Sequence, residues 1–183
     1  MKPLHRAFIP LFTAVVIIQG IHVIEHIIQL AQVYVFDVPD DEALGLLGYL
    51  FAIQGTEEWL HLVFNVSLLA ALYILTIPLW RQVPRTVPVW AFAVFAGAAV
   101  GLETWHVVEH GVIISNVVQN GGCPCPGIGD RVLGVSDTVL HFVYNAIAYV
   151  GIVTAFWFVI RRKAVTSAEV PERSASPFHP VKA

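Results

Sequence analysis

Four long apolar stretches constrain the fold of this chain more than any other feature of its sequence. They run approximately over residues 7–36, 44–80, 89–118 and 132–160. Each exceeds the roughly 20 residues that an α-helix needs to cross a bilayer core. Charged residues make up 13% of the chain, whereas a soluble domain carries roughly 25%. The sequence therefore predicts an all-α integral membrane protein with four transmembrane helices, in contact with the lipid bilayer.

Turn-forming segments separate these stretches and leave one transmembrane domain over residues 1–163. An acidic loop at 37–42, the prolines Pro84 and Pro88, and a Gly/Pro-rich segment at 121–129 interrupt the apolar pattern. Residues 164–183 are rich in proline, serine and charge. Such a composition cannot build a packed core, so we expect this tail to be disordered.

The positions of lysine and arginine predict the orientation in the membrane. They lie before the first predicted helix, between the second and the third, and after the fourth, at Lys2, Arg6, Arg81, Arg85, Arg161, Arg162 and Lys163. Of the two remaining loops, the first is acidic and the second has Arg131 as its single basic residue. Because cytoplasmic loops are enriched in basic residues, we expect both termini to be cytoplasmic.

The two halves of the chain resemble each other. His22-Val-Ile-Glu-His26 in the first predicted helix matches His106-Val-Val-Glu-His110 in the third. The segment 59–65 around His61 likewise matches the segment 139–145 around His141. This pattern predicts a duplicated two-helix hairpin, with repeats at about 7–80 and 89–160. Since a hairpin returns the chain to the same side, the repeats are parallel and together form a four-helix bundle.

Each predicted helix carries its polar residues on one face, because residues three or four apart lie above one another on a helix. Lipid offers no hydrogen bonds, so we expect these four faces to point at one another. Their depth in the helices places them in the outer half of the bundle. Ionisable residues inside transmembrane helices are expensive and by default indicate a functional site.

Imidazoles with carboxylates nearby are typical of a metal site. Neutral imidazole suits Zn, Cu, Fe and Ni, and added carboxylates favour Zn or Fe over Cu(I). One ion, or two, would fit. The alternatives are a metal-free network of His–carboxylate hydrogen bonds and, less favoured, haem, because carboxylates share the His faces and the sequence has no CxxCH motif. The candidate ligands are His22, His26, His61, His106, His110, His141, Glu57 and Asp137.

The HxxEH spacing resembles the zinc motif of inverzincin peptidases over five residues. The polar faces also resemble, in style, the histidine boxes of membrane di-iron desaturases and hydroxylases. Neither resemblance covers enough of the chain to name a family. In metal-assisted hydrolysis, Glu25 or Glu109 would act as the base. Glu103 lies one turn before His106 and could serve as ligand or proton acceptor, whereas the first repeat has Gln19 there.

These observations favour a membrane metalloprotein with a mononuclear or dinuclear non-haem centre. It would be an oxidoreductase or a hydrolase acting on a lipid-soluble or small substrate. Metal transport or sensing, and a structural membrane subunit, are the alternatives. The net charge of −3 gives no basic surface for nucleic acid. The oligomeric state is left open, as is the role of Cys123 and Cys125, which could bind a soft metal, form a disulfide or stay reduced.

Overall fold

A computed structural model of the protein describes the backbone of residues 3–51, 57–83, 85–120 and 127–168. This part of the chain is helical and contains no β-strand. In chain order the helices are α1 (Pro3–Phe36), α2 (Gly45–Phe51), α3 (Glu57–Trp80), α4 (Val89–Val94), α5 (Leu102–Gln119), α6 (Ile128–Leu133) and α7 (Asp137–Ala168). A 3₁₀ turn lies at Asp40–Glu42, and a π-helical segment, Phe95–Gly101, joins α4 to α5 without a break.

Four of the described helical stretches are long and apolar enough to cross a membrane. They are Ala7–Phe36, Trp59–Trp80, Val89–Gln119 and Asp137–Arg161. The third consists of α4, the π-helical segment and α5 together, and is called the third span below. The prediction of an all-helical protein with four apolar helices of membrane-spanning length is therefore confirmed.

One predicted helix boundary is wrong, because the fourth long helix begins at Asp137 rather than Val132. Gly134 causes the difference, since its left-handed backbone, with φ of 64°, ends α6. The last residues of α6 are also apolar, so the hydropathy of the sequence does not separate them from the helix that follows. In the second apolar stretch the described helices are α2 and α3, and residues 52–56 between them lie outside the described residues.

The apolar core fills one half of the bundle. It is built from the first part of α1, the second part of α3, the start of the third span and the second part of α7. Phe12 lies at its centre, with ring centroids 6.2 Å from Phe95 and 5.1 Å from Phe156. The polar residues of all four spans therefore lie together in the other half.

A close contact between backbones fixes the third span against α7. A Cβ atom added to Gly151 would lie 3.1 Å from the backbone nitrogen of Ala99 and 3.2 Å from the carbonyl oxygen of Val94. Small residues allow membrane helices to approach in this way, where dispersion rather than the hydrophobic effect holds them together. By comparison, α1 and α3 pack against each other less extensively.

Candidate metal centre

Two helices each present a pair of histidines to the bundle interior. In α1 the Nε2 atoms of His22 and His26 lie 3.2 Å apart. In α5 the Nε2 atoms of His106 and His110 lie 3.1 Å apart. All four side chains are buried. The i, i+4 spacing brings the two rings of each pair to the same face, so their nitrogens converge on one point.

A third imidazole, from α7, completes one of these groups. The ring of His141 has its centroid 4.6 Å from that of His110 and 5.0 Å from that of His106. One ligand atom from each of His106, His110 and His141 lies within 4.8 Å of the others. This group, called the histidine triad below, could hold a metal ion.

His61, the last of the six predicted histidine ligands, lies between the two halves of the cluster. Its ring centroid is 5.9 Å from His22 and 5.8 Å from His26. It is also 5.5 Å from His110. The structure therefore brings all six predicted histidines into one cluster, and the rings are closer together in the histidine triad than around His61.

The predicted ligand Asp137 lies behind His141. Its Oδ2 is 3.0 Å from His141 Nδ1, and its backbone oxygen is 2.9 Å from the same nitrogen. Both oxygens accept, so Nδ1 carries the proton of the neutral ring and Nε2 carries the lone pair. Carboxylates in this position orient metal-binding histidines in many proteins. Direct ligation by Asp137 stays a prediction.

Gln29, which was not among the predicted site residues, orients the imidazole of His26 as Asp137 orients that of His141. Gln29 Oε1 lies 2.6 Å from His26 Nδ1, which donates to it and leaves the lone pair on Nε2. Gln29 follows His26 by three residues on the polar face of α1, and that spacing is the signal that could have found it.

The predicted catalytic residues Glu25 and Glu109 both contact the short helices. Glu25 Oε1 accepts the backbone N–H of Leu47 in α2 at 2.6 Å. Glu109 Oε1 accepts the backbone N–H of Gly129 in α6 at 2.7 Å. Each carboxylate therefore ties a short helix to the end of the bundle that holds the histidines. Their role as bases stays a prediction.

Glu103, the third predicted catalytic residue, is buried next to His106. Its Oε2 lies 3.6 Å from His106 Nδ1, on the side of the ring opposite to the nitrogen that faces His110. Neither carboxylate oxygen has a hydrogen-bond partner among the described residues. At the matching position of α1, Gln19 Nε2 donates to Asn145 Oδ1 at 2.8 Å. Whether Glu103 binds metal or moves a proton stays a prediction.

Asp130 is a further carboxylate near the triad, outside the four spans. Its Oδ2 accepts the backbone N–H of Gly127 at 3.2 Å. Burial raises the pKa of Asp130, and the negative charge of Asp137 raises it further. The side chain of Glu57, predicted as a ligand, lies outside the described residues, as do Cys123 and Cys125.

A cavity of about 190 Å³ lies beside the first histidine pair, between α1, α2 and α3. His22, His61 and Glu25 are on its wall, and the other lining residues are apolar or glycine. The arrangement therefore places an apolar space directly against the histidine cluster.

No protein-family model, curated protein or solved structure matches this chain.

Proposed function

We propose that this chain is an integral membrane metalloprotein that holds one Zn or Fe ion at His106, His110 and His141. The observation that carries the proposal is the convergence of three buried imidazoles from two helices on one point. Three imidazole nitrogens that lie this close together could share one cation as its ligands. Neutral imidazole suits Zn and Fe, as well as Cu and Ni.

Among the described residues three ligands converge, and that number favours a reactive centre over a purely structural one. Structural zinc sites use four protein ligands, whereas catalytic sites use three and keep a position for water or substrate. A metal bound there would act as a Lewis acid or supply an activated water. Asp137 orients His141, and Glu103 lies behind His106 in a similar place. These contacts support metal-assisted hydrolysis or non-haem oxidoreduction as the reaction class.

The core on the other side of the cluster argues for a fixed centre rather than a transport path. Below the histidines, the described side chains that fill the bundle are Gln19, Asn65, Glu103 and Asn145, followed by buried apolar residues only. A transported ion needs successive ligands across the membrane. Transport or sensing therefore has less support than a resident metal.

We further propose that the chain is a duplicated two-helix hairpin with both termini on the cytoplasmic side of the membrane. Both halves pair their histidines through Nε2, and both use the glutamate of the HxxEH motif to bind a short helix. These matched contacts support descent from one two-helix unit, with repeats at about 7–80 and 89–160. The basic residues at one end of the bundle support cytoplasmic termini, with the metal centre towards the outer face.

The first test is the metal content and the absorption spectrum of the protein purified in detergent. We expect about one Zn or Fe ion per chain, as three histidine ligands would hold, and no Soret band. His5→Ala is a control for the loss of a histidine. His5 lies almost five helical turns before His22 in α1, so its replacement should leave the metal content unchanged. Protein that contains no stoichiometric metal after expression and purification with added Zn or Fe would favour the metal-free network.

A further inference from the structure

The cavity beside the first histidine pair has the size of a small ring compound. Its volume is about 190 Å³. For comparison, an engineered cavity of roughly 150 Å³ in a well-studied soluble protein binds benzene. Most of the wall is aliphatic or aromatic, from residues such as Ile18, Ile21, Leu47, Leu60 and Phe64. A single six-membered ring with a small substituent would therefore fill it.

The cavity borders the lipid-facing surface of the bundle. Ile18 and Ile21 on α1 are 49% and 52% exposed, and Leu60 on α3 is 41% exposed. These residues lie at the looser contact between α1 and α3, within or beside the membrane-spanning segments. In a bilayer, a dissolved molecule would approach the cavity from this side, between the two helices.

The inner wall of the cavity leads to the histidine triad. His22 and His61 both line it, and His61 has its ring centroid 5.5 Å from that of His110. Polar groups on one side of an otherwise apolar pocket fix the orientation of a ligand. A hydroxyl or carbonyl group of the ligand would therefore point at the imidazoles and face the proposed metal centre.

In the second half of the chain, larger side chains stand at two of the corresponding positions. Aligning the two HxxEH motifs puts Trp105 in the place of Ile21, and aligning segment 59–65 with segment 139–145 puts Tyr144 in the place of Phe64. Trp105 Nε1 donates to the hydroxyl of Tyr144 at 3.0 Å. A Cβ atom added to Gly129 of α6 would lie 2.9 Å from that hydroxyl, so α6 packs directly on it. Two residues that line the cavity in the first half therefore have larger counterparts in the second half, and these counterparts contact each other.

We propose that the cavity is the substrate pocket of the metal centre. Its ligand is a small, mostly apolar ring compound with one hydroxyl or carbonyl group, which enters from the bilayer between α1 and α3. This inference rests on the proposed function, because the polar group is placed towards the histidine triad. The second half supplies the metal ligands and the first half supplies the pocket.

The test measures binding of 4-fluorophenol to the purified protein by fluorine NMR, with fluorobenzene as the matched probe that lacks the hydroxyl. We expect saturable binding of 4-fluorophenol, about fivefold tighter than fluorobenzene, because one net hydrogen bond is added.

Ile21→Trp copies the residue of the second half and fills the cavity, so binding should weaken about tenfold or more. Ile24→Trp is the control, since Ile24 is 56% exposed on the same helix and does not line the cavity.

Metal content, measured on the same samples, separates this proposal from the previous one. We expect Ile21→Trp and Ile24→Trp to retain the metal content of the unaltered chain. Equal affinity of both variants for 4-fluorophenol, or binding that does not saturate in the unaltered chain, would overturn the pocket even if metal is present. Loss of binding in Ile21→Trp alone, in protein that holds no metal, would keep the pocket and overturn the metal centre.

Discussion

At the scale of single residues, hydrogen bonds decide which nitrogen of His26 and of His141 faces the interior. Asp137 accepts from Nδ1 of His141, and Gln29 accepts from Nδ1 of His26. Both contacts leave the lone pair on Nε2, the nitrogen that can coordinate a metal. The orientation of these two imidazoles is therefore set before any ion arrives, by residues on the same helices as the histidines they hold.

Asp137→Asn should weaken metal binding without unfolding the protein. An amide can still accept a hydrogen bond but lacks the charge that makes His141 a stronger ligand, and loss of such partners costs about 10–100-fold in affinity. Competition with a chelator of known affinity measures the change. Asp37→Asn is the control, because Asp37 is exposed just after the end of α1 and asparagine tolerates its left-handed backbone. Equal affinity in the Asp137→Asn variant and the unaltered protein would show that Asp137 does not support the site.

Glu103→Gln should lower metal occupancy or activity more than Gln19→Glu does. Glu103 lies 3.6 Å from His106, a member of the triad, whereas Gln19 donates to Asn145. Because glutamine occupies the matching place in the first half, the fold should tolerate Glu103→Gln at about 1–2 kcal/mol or less. Metal analysis and thermal unfolding report the two effects separately. Unchanged metal content and activity in Glu103→Gln would show that the two halves are equivalent at this position.

At the scale of helices, the two short helices are held by the glutamates of the HxxEH motifs. Gly45 and Gly127 lie so close to Glu25 and Glu109 that a Cβ atom at either position would collide with the carboxylate. The glycines are therefore part of the contact, since they allow the backbone to reach the carboxylate.

Gly127→Ala should destabilise the protein by about 1–3 kcal/mol, because the added methyl group displaces the carboxylate that binds Gly129. Thermal unfolding in detergent, followed by circular dichroism, measures the change. Gly111→Ala in α5 is the matched control, since a Cβ there meets nothing within 4 Å. We expect the control to be neutral or stabilising by up to about 1 kcal/mol, as alanine favours a helix over glycine. A Gly127→Ala protein as stable as the control would show that α6 is not held through this contact.

The sequence predicted the long helices and missed the short ones for a physical reason. Hydropathy and the i, i+4 spacing of histidines depend on neighbouring residues, so they identified the four spans and the polar faces. The contact of Glu109 with Gly129 joins residues whose pairing depends on the path of the loop between them. The π-helical segment and the cavity arise from packing between helices, which no local pattern contains. Glu25 and Glu109, which the sequence suggests as bases, each accept a backbone N–H in the structure, and no local pattern contains those two contacts.

At the scale of the whole molecule, the four spans divide the bundle into an apolar half and a half that holds the histidine cluster. Apart from Arg131 in α6, the basic residues of the spans and their loops flank the apolar half, at the start of α1, between α3 and α4, and after Ile160 in α7. If that end is cytoplasmic, the metal centre and the short helices α2 and α6 face outward.

A reporter fused after Ala183 tests this orientation. Green fluorescent protein placed there should fluoresce, and alkaline phosphatase placed there should be inactive, because both termini are expected in the cytoplasm. Fusion after Asp40, in the loop that follows α1, supplies the opposite control. An active phosphatase at Ala183 would contradict the orientation and with it the outward position of the metal centre.

The most direct test of the central claim compares metal content in His110→Ala and His26→Ala. These residues hold matching places in the two HxxEH motifs, but only His110 belongs to the histidine triad. We predict that His110→Ala loses most of its metal, that His26→Ala retains most of it, and that the double variant holds none. Equal metal content in the two single variants, whether retained or lost, would contradict a metal centre built on His106, His110 and His141.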